Sequence, residues 1–416
     1  MKVFKFGGAS VKDADAIRNL TRIIKEYSEN IIVVISAMGK TTNALELVLH
    51  YYFNQDKNLE HSYQRVVAFH EAIIHDLFPI ESEVFSKIDN ILAQLNKKLQ
   101  AEPTMTYNFE YDQIVSFGEI LSTTIVSEYL KESKINCEWI DIRKILKTDN
   151  TYREARVNFA ASEKLVLKTL IENKIYLTQG FIGSDENNLT TTLGREGSDY
   201  SAALLAYFLN AESVTVWKDV PGVLNADPKW FDDTVKLDKI SYTDAIELAF
   251  YGASVIHPKT IQPLKKKGIP LWVKSFYDPS LEGTLIADVI YDRLVPSFIF
   301  KMDQVLIDVY PLDLSFIAED NLQEIFQVLA EQGLKVNLMQ NTAVRFRICV
   351  NSDSMRISNV VSQLQSRFQI LLQEHLELIT IRYFDQATID RVMVNKEIIL
   401  EQRSQKTVQL LVRDLG

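Results

Sequence analysis

Residues 191–206 read TTLGREGSDYSAALLA. Here Arg195, Ser198 and Asp199 crowd around Gly194 and Gly197 just before a long apolar run, so most of them must face one small space. Arg195 offers a planar fork able to hold a carboxylate through two hydrogen bonds. Asp199 falls in the first turn of the helix that follows, where a plain capping acid contributes about 0.3 to 1 kcal/mol. Two earlier stretches have the same design. In KFGGAS, Gly7 and Gly8 let backbone N–H groups approach an anion at a strand-to-helix turn, and Lys5 adds a full charge. In SAMGKTTNAL, Ser36, Gly39, Thr41, Thr42 and Asn43 supply hydroxyls, an amide and N–H groups where another helix begins, without the G-x-x-x-x-G-K-[ST] spacing of a P-loop.

A fourth stretch, VSFGEILSTTIVSEYL, sets Glu119 on an otherwise apolar helix. A carboxylate there either reaches the surface or accepts hydrogen bonds from a bound cation such as an amino acid's ammonium, because burying it alone is costly. Asp219, Pro221 and Gly222 in VWKDVPGVLNADPK suit a sharp turn. His257 before Pro258 reads as a structural hydrogen-bonding group. His70 and His75 in HEAIIH are five apart, which takes them off the common helix face that a zinc pair needs.

Elements that position these turns are visible as short runs of branched and aromatic residues: 3–6, 31–35, 137–141, 175–181, 213–217 and 270–273. Between the first two, Ile17, Leu20, Ile23, Ile24 and Tyr27 have the spacing of an amphipathic helix. Alternating strand and helix predicts a three-layer α/β sandwich around a mostly parallel sheet, and polar turns at the carboxyl ends of such strands are where these sheets bind ligands. Residues 42–133 read as helices alone, a helical subdomain within a catalytic domain spanning 1–290. After the change of pattern near Tyr291, residues 298–384 follow the order β-α-β-β-α-β, a ferredoxin-like α+β arrangement. Residues 385–416 contain strand-like runs, with no helix expected.

At 416 residues the chain exceeds one ordinary core. Its formal charge of -10 repels nucleic acid and anionic membranes. The N-terminus lacks the apolar stretch of a signal peptide, and no apolar run is long enough to cross a bilayer. Cys137 and Cys349 form no CxxC pair, so neither a zinc site nor a disulfide framework is expected, and a reduced, cytoplasmic setting fits.

Taken together, KFGGAS, SAMGKTTNAL, SFGEILST, TDNTYREAR, TQGFIGSDENNLTTTLGREGSDYSAALLA, WKDVPGVLNADP and GASVIHPKT resemble the aspartate kinases (aspartokinases) of the amino acid kinase family. The C-terminal pattern is similar to the ACT regulatory modules that these enzymes carry in two copies, 385–416 being a partial second one. The resemblance implies transfer of the γ-phosphate of ATP, with Mg2+, to the side-chain carboxylate of L-aspartate, the first step toward lysine, threonine and methionine. It implies that Lys5, Gly7 and Gly8 hold the triphosphate and that Asp199 organises the catalytic lysines. Ser36, Thr42, Glu119, Arg195 and Ser198 would orient aspartate, with Arg195 on a carboxylate and Glu119 near the ammonium. Lys218, Asp219, Leu224, Asn225, Lys229, Ser254 and Val255 occupy nucleotide-binding positions.

Three departures stand out. Ala9 replaces the usual threonine, Glu196 the usual glycine, and Ser254 a lysine that binds nucleotide phosphate in many relatives, so that Lys218 or Lys259 is expected to supply its charge. Feedback by lysine or threonine and a homodimer or higher homo-oligomer are also implied. Two rival readings remain: a superfamily enzyme acting on glutamate or carbamate, and a catalytically silent amino-acid sensor.

Overall fold

The computed structural model describes residues 1–27, 30–171, 174–253, 256–291, 295–313 and 315–416. They divide into two units. The first comprises 1–223, 236–246 and 255–291, and the second 224–235, 247–254 and 292–416.

In the first unit the strands are β1 (Lys2–Phe6), β2 (Ile31–Ile35), β3 (Cys137–Ile140), β4 (Ile175–Gln179), β5 (Ile182–Ser184), β6 (Thr190–Thr192), β7 (Ser213–Lys218), β8 (Lys239–Ser241), β9 (Leu271–Ser275) and β10 (Thr284–Ala287). Eight of them form one sheet in the order β3-β4-β2-β1-β7-β9-β10-β8, parallel throughout except between β9 and β10. Continuous IIVVI is the signature of a strand covered on both faces, and all five residues of β2 are buried. The short β5 and β6 make a separate hairpin.

Helix α1 (Ala14–Lys25) starts where the Asp13 carboxylate accepts a 2.8 Å hydrogen bond from Ala16 N. Its Ile17, Leu20, Ile23 and Ile24 pack on Phe4, Phe6, Val33 and Ile35 of the sheet. The helical stretch resolves into α2 (Thr41–Phe53), α3 (Leu59–Leu77), α4 (Val84–Leu99), α5 (Tyr107–Val115) and α6 (Phe117–Glu132). Within it His70 is fully buried, and its Nδ1 donates to the Val66 carbonyl at 2.7 Å. Burial pulls its pKa down to about 4, so it is a neutral core residue. Helices α7 (Phe159–Thr169), α8 (Gly197–Leu209), α9 (Tyr242–Tyr251) and α10 (Pro258–Lys267) follow, with α9 running across the boundary between the two sets of residues.

The second unit holds β11 (Ser297–Pro311), α11 (Glu319–Glu331), β12 (Val336–Asn341), β13 (Phe346–Asn351), α12 (Ser354–Leu364), β14 (Phe368–Arg382), α13 (Gln386–Val392), β15 (Lys396–Arg403) and β16 (Thr407–Asp414). Its antiparallel sheet runs β12-β13-β11-β14-β16-β15. The long strands β11 and β14 shift register between Lys301 and Leu306, near Asp303 (φ 50°) and His375 (φ 57°). That irregularity divides the sheet into two halves. On one, Val305, Ile307 and Val309 pack against Ile325, Leu329, Val360 and Leu364 of α11 and α12. On the other, Phe298, Ile379, Ile381, Val408 and Leu410 pack against Ile389 and Val392 of α13.

Two findings differ from the sequence expectation. Residues 385–416 do contain a helix, α13, started by a capping box between Asp385 and Thr388. At under two turns it is too short to give a periodic signal. Segments 224–235 and 247–254, read within the catalytic span, group with the second unit. Phe231 packs at a tilt against Phe298 and Phe300 with ring centroids 4.9 and 5.6 Å apart, and the Arg391 guanidinium lies over it at 4.6 Å while also pairing with Asp233.

Candidate active site

Alternation along β1 sends Phe4 and Phe6 toward α1 and Lys5 to the other face. There the Lys5 ammonium meets Asp199 Oδ1 at 2.5 Å, with both side chains almost excluded from solvent. Asp199 is delivered by the first turn of α8, and the chain enters that helix through Gly194 (φ 77°) and Glu196 (φ 54°, ψ 30°). A left-handed glutamate costs about 1 to 2 kcal/mol, which explains why glycine is the easier residue at this position. Its carboxylate, also at the cavity, accepts a 2.9 Å hydrogen bond from His257 N. His257 caps α10, its Nδ1 accepting from Lys259 N at 3.2 Å, which is the structural use expected of it.

Turns after β1 and β2 pack backbone to backbone. A Cβ on Gly8 would lie 2.7 Å from the Gly39 carbonyl oxygen, and Gly39 N donates to the Gly8 carbonyl at 3.0 Å. Gly118 has the same purpose on α6, since a Cβ there would come within 2.9 Å of Ala37 Cβ. This approach lets Glu119 Oε1 accept from Ala37 N at 3.2 Å and Ser122 Oγ donate to the Ser36 carbonyl at 2.7 Å. Among the described residues Glu119 Oε2 has no partner. Burial of that carboxyl pushes its pKa up to about 8, opposed only weakly by the backbone donors.

One cavity of about 770 Å³ is lined by Lys5, Ser36, Thr42, Glu119, Arg195, Ser198 and Asp199. The structure therefore brings together the first-strand lysine, the second turn, the helix carboxylate and the GREGSD turn. Lys218, at the end of β7, is largely buried, and that burial holds its ammonium below the ordinary lysine range. Asp199, Glu196 and Asp219 act against that effect and Lys5 adds to it, so Lys218 lies within electrostatic reach of the Lys5–Asp199 pair. Leu224, Asn225 and Lys229 belong to the second unit, where the Asn225 amide accepts from Val235 N (2.7 Å) and donates to the Pro296 carbonyl (3.0 Å). Ser254 and Val255 lie outside the described residues.

Residues that sequence reasoning left unassigned also line the cavity: Asn108, Tyr111, Tyr152, Arg153, Glu154 and Phe181. The sequence signals for them are TDNTYREAR, which holds Tyr152, Arg153 and Glu154, and TQGF, which holds Phe181; neither assigns them a role, and Asn108 and Tyr111 have none. Among the described residues, an ion pair, an arginine without an acidic partner and a buried carboxylate with a bare oxygen line one cavity, which suits a small molecule carrying both signs of charge. Thiol chemistry is disfavoured, because burial pushes both cysteines up to about 12. Among the described residues no group of three or more His, Cys, Asp and Glu is placed to hold a metal, and no helix is long and apolar enough to cross a membrane.

Comparison with known proteins bears on this geometry. The profile of the amino acid kinase family matches residues 1–275. Lysine-sensitive aspartokinase 3 of Escherichia coli is 30% identical over 391 residues, covering 91% of this chain and 86% of the relative. The chloroplastic bifunctional aspartokinase/homoserine dehydrogenase 2 of Arabidopsis thaliana is 30% identical over 386 residues, 89% of this chain but 42% of the relative. Among solved structures, E. coli aspartokinase III with lysine and aspartate superposes with a TM-score of 0.84 at 28% identity, covering 99% of this chain and 95% of that one. The same enzyme with aspartate and ADP gives 0.83 at 28% identity, covering 99% and 96%.

Proposed function

The chain belongs to the amino acid kinase family and within it to the aspartokinases, and from that premise we propose how its cavity passes the γ-phosphoryl group of ATP to the side-chain carboxylate of L-aspartate. The observation that carries the reading is the shared cavity. Arg195 without an acidic partner and Glu119 with a free oxygen line the same space as the Lys5–Asp199 pair.

Arg195 holds a carboxylate of aspartate through paired hydrogen bonds, Glu119 Oε2 accepts from its ammonium, and Ser36, Thr42 and Ser198 add hydroxyl contacts. An oxygen of the side-chain carboxylate attacks the γ-phosphorus, the bond from phosphorus to the bridging oxygen of ADP breaks, and 4-phospho-L-aspartate and ADP result. The nucleophile is already ionised, so the protein needs no general base; its task is to position the reactants and neutralise charge. Lys5, fixed by Asp199, serves the phosphoryl side, and Lys218 lies within electrostatic reach of that pair. Gly7 and Gly8 present backbone N–H groups to the triphosphate.

Asp219, Leu224, Asn225, Lys229, Ser254 and Val255 remain our assignment for the rest of the nucleotide. Lys218 or Lys259 supplies the positive charge that Ser254 cannot. Mg2+ takes oxygen ligands and usually travels on phosphates. The oxygen chemistry of this cleft suits it: Asp199 is the carboxylate that would help hold it, and when bound it would offset phosphate charge.

The second unit, with its two half-sheets each covered by helices, supports reading 298–384 and 385–416 as ACT-like regulatory modules that share β11 and β14. Lysine or threonine as effector, a homodimer or higher homo-oligomer, and a cytoplasmic setting complete the proposal. Trapping acyl phosphate with hydroxylamine, Mg-ATP and each amino acid tests it. Hydroxamate with aspartate alone is expected. Hydroxamate with glutamate or carbamate instead would select another superfamily activity, and none at all would favour a silent sensor.

A further inference from the structure

The loop of residues 148–157 places a second guanidinium in the cavity, and the fold spends a buried carboxylate on holding it there. Asp112 is fully buried, and its two oxygens accept from Arg153 N (3.1 Å to each), Thr192 N (2.8 Å) and Thr192 Oγ1 (2.7 Å). This fixes the backbone of Arg153 against β6, in a left-handed conformation (φ 71°) that a non-glycine residue adopts only when its surroundings impose it. The guanidinium carbon then lies 4.4 Å above the centre of the Tyr111 ring. That ring is itself anchored, its hydroxyl donating to Glu46 Oε1 at 2.8 Å. A cation stacked on an aromatic face keeps its in-plane N–H groups available for a planar anion.

Arg153 and Arg195 come from touching loops, since a Cβ on Gly194 would stand 3.2 Å from the Arg153 carbonyl oxygen. Both arginines line the cavity, and among the described residues neither is in an ion pair. Among the described acids near them, Glu196 accepts from His257 N, Glu154 forms no ion pair with either arginine, and Asp112 feels the Arg153 charge through space while its oxygens bond to backbone and to Thr192.

We propose that Arg153 is a second carboxylate-binding residue, so that the cavity takes a dicarboxylate with one carboxylate on Arg195 and the other on Arg153. The inference rests on the aspartate reading and deepens it. A site with two guanidinium groups and one free carboxylate oxygen matches two carboxylates and one ammonium, which a monocarboxylic amino acid does not satisfy.

The test uses the full-length enzyme. Arg153→Gly removes the guanidinium and relieves the left-handed backbone, so its melting temperature should match or exceed that of the parent. Its KM for aspartate should rise roughly 10- to 100-fold, the loss of one charged hydrogen-bonding group, with KM for ATP unchanged. Arg153→Lys, which keeps charge but loses the planar fork, should restore only part of the affinity. Succinate and butyrate supply a readout that a merely structural role would not move. Against the parent enzyme succinate should compete better than butyrate; against Arg153→Gly the two should compete equally. A KM for aspartate within twofold of the parent, or a retained preference for succinate, overturns the inference. Parent enzyme that forms no aspartyl hydroxamate overturns the function itself, so the two failures are distinguishable.

Discussion

The two units treat charge in opposite ways. In the second, Asp308 is buried between β13 and β14 and fully engaged. Arg345 grips both its oxygens at 2.9 and 2.7 Å, and Arg347 adds a bond at 3.1 Å. Gln304, Asn337 and Asn351 likewise close a network among themselves. In the first unit, Arg195 and Arg153 face a cavity without acidic partners, and Glu119 keeps one oxygen bare although burial penalises it. Charge that is satisfied holds strands in register. The exposed arginines are hydrated, but a buried carboxylate oxygen left bare beside a concave space is costly, because a fold under selection for stability alone would pair it or expel it.

That contrast can be broken by substitution. Lys5→Ala should have the largest effect. Removing a preorganised charge from the phosphoryl side should lower kcat by about 100- to 1,000-fold, and, because it leaves the buried Asp199 carboxylate unpaired, it should lower the melting temperature as well. A kcat within tenfold of the parent would move phosphoryl stabilisation to another residue. Asp308→Ala should lower stability while leaving substrate use alone. Leaving two half-buried arginines unpaired should cost roughly 1 to 3 kcal/mol of stability in chemical denaturation, with KM for aspartate unchanged at temperatures where the protein is folded. If aspartate use falls and stability does not, the division between the two kinds of charge is wrong.

A smaller effect concerns pH. Glu119 has its native pKa raised from 4.5 to about 8 by burial. Between those values the empty native state keeps a proton that the unfolded chain has lost, so this group's contribution to stability declines as pH rises through the window. Binding an ammonium requires the ionised form. Aspartate affinity should therefore improve as pH rises from 6.5 toward 8, by at most tenfold per pH unit, and level off above 8. Glu119→Gln should flatten that dependence. A parent enzyme whose KM for aspartate shows no slope over this range would place the ammonium elsewhere.

Much of this arrangement was legible in the sequence. The branched run of β2 and the apolar spacing of α1 announced the sheet and its cover, and polar residues at strand ends gave Lys5, Ser36, Thr42, Arg195, Ser198 and Asp199. Glu119 was conspicuous because a carboxylate interrupts an apolar helix. Other features depend on closure in three dimensions and leave no local trace. Strands β8 and β10 pair as short pieces, with no alternation long enough to detect. Asp112 on α5 looks like any helical acid until the loop at Arg153 and strand β6 fold onto it. Glu196 and Arg153 sit in left-handed backbone where composition predicts glycine, so nothing in the residue type marks the turn. The grouping of 224–235 with the second unit follows from Phe231 and its aromatic neighbours, which lie some seventy positions apart.

The central claim, that the unpartnered arginine at the α8 turn is the carboxylate anchor of the phosphoryl acceptor, is tested most directly by aspartyl hydroxamate formation against aspartate concentration in parent enzyme and Arg195→Ala. A half-saturating aspartate concentration raised roughly 10- to 100-fold is predicted, as expected for one lost charged hydrogen-bonding group. An unchanged aspartate dependence would contradict it.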